Sequence, residues 1–132
     1  MSFATLKRAI LANLLLNPNL HGERGRFELP DGTEVLASVH VDASGMRDKN
    51  EATADQVDRL KVLVNRDPEQ AATLDAAGNE IGCISHAQPG LRFYRAGDDE
   101  PFTWTGGIEG QRDYKWRLVF ERRRRIRQGM RQ

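Results

Sequence analysis

The stretch "DYKWRLVFER" near the C-terminus constrains this chain more than any other. Tyr114, Trp116, Leu118 and Phe120 alternate with Lys115, Arg117, Val119 and Glu121. A period of two sends the first set to one face and the second to the other, the pattern of a strand with one side in a core. A helix would scatter the same aromatics around its circumference. Trp116 shares its face with Leu118 and Phe120, so it is expected to fill a core rather than to stack on nucleic-acid bases. The same packing role is expected of Trp104.

Strand signals recur upstream. In "RFELPDGTEVLASVHV" the turn Pro30-Asp31-Gly32 separates two runs, and Val35, Ala37, Val39 and Val41 alternate with Glu34, Leu36, Ser38 and His40. "RLKVLVN" sets Leu60, Val62 and Val64 on one face, and "DPEQAA" offers a single helical turn capped by Asp67 with Pro68 at its first position. "EIGCIS", "LRFYRA" and "PFTWTG" read as short strands divided at Gly78-Asn79, Pro89-Gly90 and Gly97-Asp98. Gly106-Gly107 and Gly110 predict a hairpin with a bulge before the last strand. About six or seven short strands with turns between them predict a mainly β fold, a small antiparallel barrel or sandwich over 26–121. At 132 residues the chain is read as one domain, 1–132, with a modest core.

Three segments stand apart from the strands. Residues 2–16 are expected to form an N-terminal α-helix: Ser2 caps it, Phe3, Leu6, Ile10 and Leu14 share a face, and Pro18 ends it. A basic pair precedes these apolar residues, as in a signal peptide, but Asn17-Pro18-Asn19 follows instead of a small-residue cleavage site. Residues 21–25 read as a loop. Residues 42–58 read as a long, polar loop, either a flexible excursion or a loop that contacts a partner or faces a channel, with Asp42, Met46, Arg47, Asp48, Lys49, Glu51 and Asp55 as its candidate residues. Residues 122–132 read as a basic tail beyond the core, with Arg122, Arg123, Arg124, Arg125, Arg127 and Arg131 as candidates for contact with a partner or DNA.

Charge sharpens that last reading. Residues 112–132 hold nine Arg or Lys against two acids, a net of +7, while eleven bases and seventeen acids leave the rest at −6. An acidic body with a basic end is the pattern of an interaction tail. Catalytic, metal and cofactor signatures are not apparent. Cys83 and His86 are expected on opposite faces of a strand, and one Cys with three scattered His lacks ligand-pair spacing. "GGIEG" joins two strands instead of opening a helix, so it is no dinucleotide fingerprint. Asp98-Asp99-Glu100 reads as a solvated turn. No apolar run approaches the roughly 20 residues of a membrane-spanning helix, and the single Cys83 suits a reducing compartment.

The order of elements carries a resemblance. A short helix leads into Gly22-Glu23, a hairpin and a long loop follow, and a compact set of strands ends in "WRLVFERRRR". In this the chain resembles the small head-completion, or head–tail joining, proteins of long-tailed bacteriophages and prophages. The resemblance implies a non-enzymatic connector protein of the virion neck: a homo-oligomeric ring beneath the portal that retains packaged DNA and presents a surface to the tail. It implies portal or adaptor rings and tail-terminator proteins as partners, and non-specific contact with packaged double-stranded DNA. It implies a place in the virion after assembly in the host cytoplasm, with no membrane and no cofactor. A connector adaptor, a tail-terminator ring and a stand-alone nucleic-acid-binding barrel are the alternatives.

Overall fold

The alternating segments do form strands. The computed structural model describes residues 22–43, 47–50, 55–75 and 77–125. The strands are β1 (Gly22–Glu28), β2 (Glu34–Asp42), β3 (Arg47–Asn50), β4 (Asp55–Asn65), β5 (Arg92–Tyr94), β6 (Phe102–Glu109) and β7 (Lys115–Arg125). A single 3₁₀ turn, Pro68–Gln70, follows β4, and its first turn is capped by Asp67, whose carboxylate accepts from the Glu69 amide. The helix expected over 2–16 lies outside the described residues.

Neighbouring strands run β2-β1-β5-β6-β7-β4, and β4 returns to β2 through His40↔Leu63, Val41↔Val62 and Asp42↔Lys61. Six antiparallel strands thus close into a barrel, which decides between the two all-β architectures left open by the strand count. Closure removes the sheet edges that an open arrangement would leave exposed. The bulge expected at Gly106-Gly107 is present: Trp104 pairs with Phe120 but Ile108 pairs with Leu118, so three β6 residues oppose one on β7.

Side chains from every barrel strand meet inside. Phe27, Ala37, Val39, Leu60, Val62, Val64, Phe93, Phe102, Trp116, Leu118 and Phe120 form one buried cluster with Ile84 and Leu91, and Val35, Val41 and Trp104 pack against it. At its centre Phe27, Phe93 and Phe120 lie with ring centroids 5.0, 5.6 and 6.0 Å apart at tilted angles, an arrangement aromatic rings favour. A glycine in β1 makes room for them, because a Cβ on Gly25 would overlap the Phe93 ring.

Between β2 and β4 the barrel wall has a seam. They pair only at three positions, and beyond these the segment 81–84 fills the gap: the Ser38 amide donates to Ile81 O and the Ile84 amide to Asn65 O, both at 3.0 Å. Buried Asn65 pins the same segment, donating from Nδ2 to Gly82 O at 2.7 Å and to Asp67 O at 3.1 Å. Ser38 Oγ donates to Asp75 Oδ2 at 2.6 Å, and Asp75 Oδ1 accepts from the Ala77 and Asn79 amides. Burial pushes the Asp75 carboxyl up, but the Ser38, Asn79 and Ala77 hydrogen bonds and the Arg24 charge outweigh it and hold the group below the usual value.

Four sequence expectations are corrected. Gly22–Gly25 belongs to β1 and is not a loop. "EIGCIS" makes only the isolated bridge Leu74↔Glu80 and then runs extended along the seam, where Gly82 at φ +72° interrupts any strand. The described residues of the segment 42–58 are mostly strand: Asp42 ends β2, Arg47, Asp48 and Lys49 lie in β3, and Asp55 opens β4. Arg122, Arg123, Arg124 and Arg125 are the last residues of β7, not a tail. The last two corrections share one cause. These strand ends lie beyond the core, so they lack the apolar alternation by which a strand is read from sequence.

Candidate functional site

The two corrected segments turn out to be neighbours. β4 and β7 pair without interruption from Asn65↔Lys115 to Asp55↔Arg125. Past the barrel wall β3 takes the place of β2 on the other edge of β4. The result is a three-stranded charged ribbon continuing from one end of the barrel. Its cross-strand rows are Arg47–Asp58–Arg122, Asp48–Val57–Arg123, Lys49–Gln56–Arg124 and Asn50–Asp55–Arg125. The structure therefore unites Arg47, Asp48, Lys49 and Asp55 with Arg122, Arg123, Arg124 and Arg125, whereas Asp42 stays in the barrel wall opposite Lys61. Met46, Glu51, Arg127 and Arg131 lie outside the described residues.

Arg122 anchors the ribbon to the barrel. Its side chain is only 12% exposed and lies between three acids: Asp98 Oδ2 at 2.8 Å, Asp58 Oδ2 at 3.6 Å and Glu100 Oε2 at 3.9 Å. It also donates to Glu100 O at 3.3 Å, and its guanidinium carbon sits 4.2 Å from the centroid of the Phe102 ring. Asp98 and Glu100 thus reach Arg122 from a turn whose Asp99 and Glu100 stay exposed, in keeping with the solvated-turn reading of that segment. Arg122, Asp58, Arg59, Arg95, Ala43, Leu60 and Phe102 line a cavity of about 140 Å³ at this barrel end. Arg59 pairs with Glu121 at 3.5 Å, and Arg95 reaches Glu23 through two hydrogen bonds of 2.8 and 3.2 Å. Sequence reasoning missed Asp58, Arg95, Asp98 and Glu100, since only tertiary contact relates them to Arg122.

One consequence is direct. Arg122→Ala removes the cation that partly buried Asp58 and Asp98 share and is expected to cost about 2 kcal/mol of stability, the scale of a lost charge-assisted hydrogen bond. Arg123→Ala, at an exposed neighbour, is expected to change stability by less than about 0.5 kcal/mol. Chemical denaturation of both variants checks this, and equal effects at the two positions would remove Arg122 from its structural role.

Elsewhere Cys83 and His86 line one cavity of about 200 Å³ with Leu29, Pro30, Val35, Ile84, Ser85, Gln88 and Leu91. They were expected on opposite faces, but this stretch is not a strand. Burial pushes the Cys83 thiol up, away from reactive thiolate character. Among the described residues no group of three or more His, Cys, Asp or Glu could hold a metal ion, and no helix is long and apolar enough to cross a membrane. Trp116 is buried with Arg66 stacked 4.6 Å above its ring, and half-buried Trp104 donates from Nε1 to Gly107 O at 3.0 Å. No protein-family model, curated protein or solved structure matches the chain.

Proposed function

We propose that this protein is a structural component of a phage neck, a ring subunit that joins the DNA-filled head to the tail and helps retain the packaged DNA. The supporting observation is the closed barrel with a charged ribbon at one end. A closed ring needs two different complementary patches on every subunit. The ribbon supplies a basic edge at β7, and the Asp98–Glu100 turn beside the barrel mouth supplies acids. The order of elements noted in the sequence points the same way. On this reading the protein performs no catalysis and uses no cofactor. Its partners are a portal or adaptor ring and a tail terminator, and it assembles in the host cytoplasm before residing in the virion. An adaptor or tail-terminator ring would use the same surfaces at a different level of the neck.

One observation favours a nucleic-acid-binding barrel instead: Arg26 stacks 4.0 Å over Tyr94 on an outer face that also carries Arg24 and Arg95. All three arginines already have partners, however. Arg26 pairs with Glu34, Arg95 with Glu23, and Arg24 donates to Ser38 Oγ and to Glu80 O. Glu34, Glu23, Asp98 and Asp99 on or beside this face leave it little net charge for phosphates. The neck reading is tested by deleting the gene from its phage or prophage and imaging the particles. Full heads separated from tails are expected, with infectivity restored by the intact gene. Normal numbers of tailed, infectious particles would overturn it.

A further inference from the structure

We infer that the outer edge of β7 at Arg123–Arg125 is a docking site for an extended acidic segment of a partner protein, which adds to the ribbon as a further strand. β6 leaves β7 at Thr103↔Glu121, and among the described residues no strand pairs with β7 beyond that point on this side. On one edge of an antiparallel strand every second residue presents both its N–H and its C=O, and an incoming peptide strand satisfies both.

The chain itself shows which chemistry this strand accepts. On its inner edge the partner is β4, whose Asp55 and Asp58 stand in register with Arg125 and Arg122. On its outer edge the first position is already met by acids, because Asp98 and Glu100 reach Arg122 from the β5–β6 turn. Carboxylates therefore meet β7 from both sides at Arg122. The positions that follow, Arg123–Arg125, continue the same arginine run.

Charge also selects against the other candidates. Two copies of this edge would set arginines opposite arginines, an arrangement that opposes pairing. A neighbour's β3 edge, with Arg47 and Lys49 against Asp48, brings a net positive charge as well. The phosphate backbone of duplex DNA offers only acceptors, so it satisfies the edge amides but not the edge carbonyls. Asp58, Asp98 and Glu100 also surround Arg122 at the base of the run, which weakens the field that a polyanion would feel. An acidic peptide combines the backbone match with the charge match.

The site does not depend on the neck assignment, and its test requires no phage. A short fluorescein-labelled peptide of alternating glutamate and valine is titrated into the full-length protein and followed by anisotropy. Amide hydrogen exchange is measured at Arg123–Arg125. Saturable binding, slowed exchange at the outward-facing amides of that stretch and loss of binding in Arg123→Glu are expected. A second peptide keeps every glutamate but is N-methylated at alternate residues, and it is expected to bind about ten-fold more weakly or worse, the scale of one or two lost hydrogen bonds. Equal affinity of the methylated peptide would reduce the site to charge alone and overturn strand addition. Tighter binding of a duplex oligonucleotide than of the glutamate peptide would overturn the choice of partner. Failure of the glutamate peptide to bind would overturn the site.

Discussion

Phe93→Ala is expected to lower the unfolding free energy by about 3–5 kcal/mol, a large share of the stability of a domain this size. Phe93 is fully buried and touches both other members of the central aromatic group, Phe27 and Phe120. Removing the ring takes away its transfer free energy and leaves a cavity in a closed barrel that can collapse only partly. Urea denaturation should show a lower midpoint with little change in slope. A coupled change makes the result specific. Gly25→Ala should be destabilising in the wild-type chain, because its new Cβ overlaps the Phe93 ring. In the Phe93→Ala background that Cβ enters vacated space, so the double variant should be more stable than the sum of the single effects predicts. Strict additivity would falsify the packing described for this pair.

Gly82→Val is expected to cost about 3 kcal/mol or more, from a disfavoured backbone conformation and a steric overlap that add. Gly82 adopts φ +72° where the segment 81–84 enters the seam between β2 and β4. A Cβ there would collide with the Leu36 carbonyl oxygen and lie 3.0 Å from Ala37 Cα, both of them backbone atoms of β2 that cannot rotate away. The segment would have to withdraw, weakening the bonds from Ser38 to Ile81 and from Asn65 to Gly82. Amide exchange should then accelerate at Ser38 and Ile84 before it does at Leu118, deep in the β4–β7 pair. Uniform acceleration across the barrel would mean that the seam is not a separate weak point.

These two positions mark the division of labour in the molecule. The aromatic centre and the sealed seam hold a rigid wall, while the β3-β4-β7 ribbon carries charge beyond it. Arg122 links the two parts, tying ribbon strands β4 and β7 to the β5–β6 turn. Its neighbours Arg123–Arg125 extend past that clamp, where the ribbon presents an edge rather than a face.

What the sequence determined by itself is the class of fold and the inward faces. Trp116, Leu118 and Phe120, then Leu60, Val62 and Val64, then Ala37 and Val39, were legible as core because burial imposes a period of two on a strand. The Pro30–Gly32 turn and the Gly106-Gly107 bulge were legible because local backbone chemistry specifies them. The candidate site was legible only as two charged segments, one read as a loop and one as a tail. Their union in one ribbon was decided by the tertiary structure. Strand pairing between residues far apart in the chain satisfies backbone hydrogen bonds whatever the side chains are, so a strand outside the core leaves no apolar period to detect. Barrel closure, the seam segment and the clamp at Arg122 likewise rest on long-range contacts, which local periodicity does not encode.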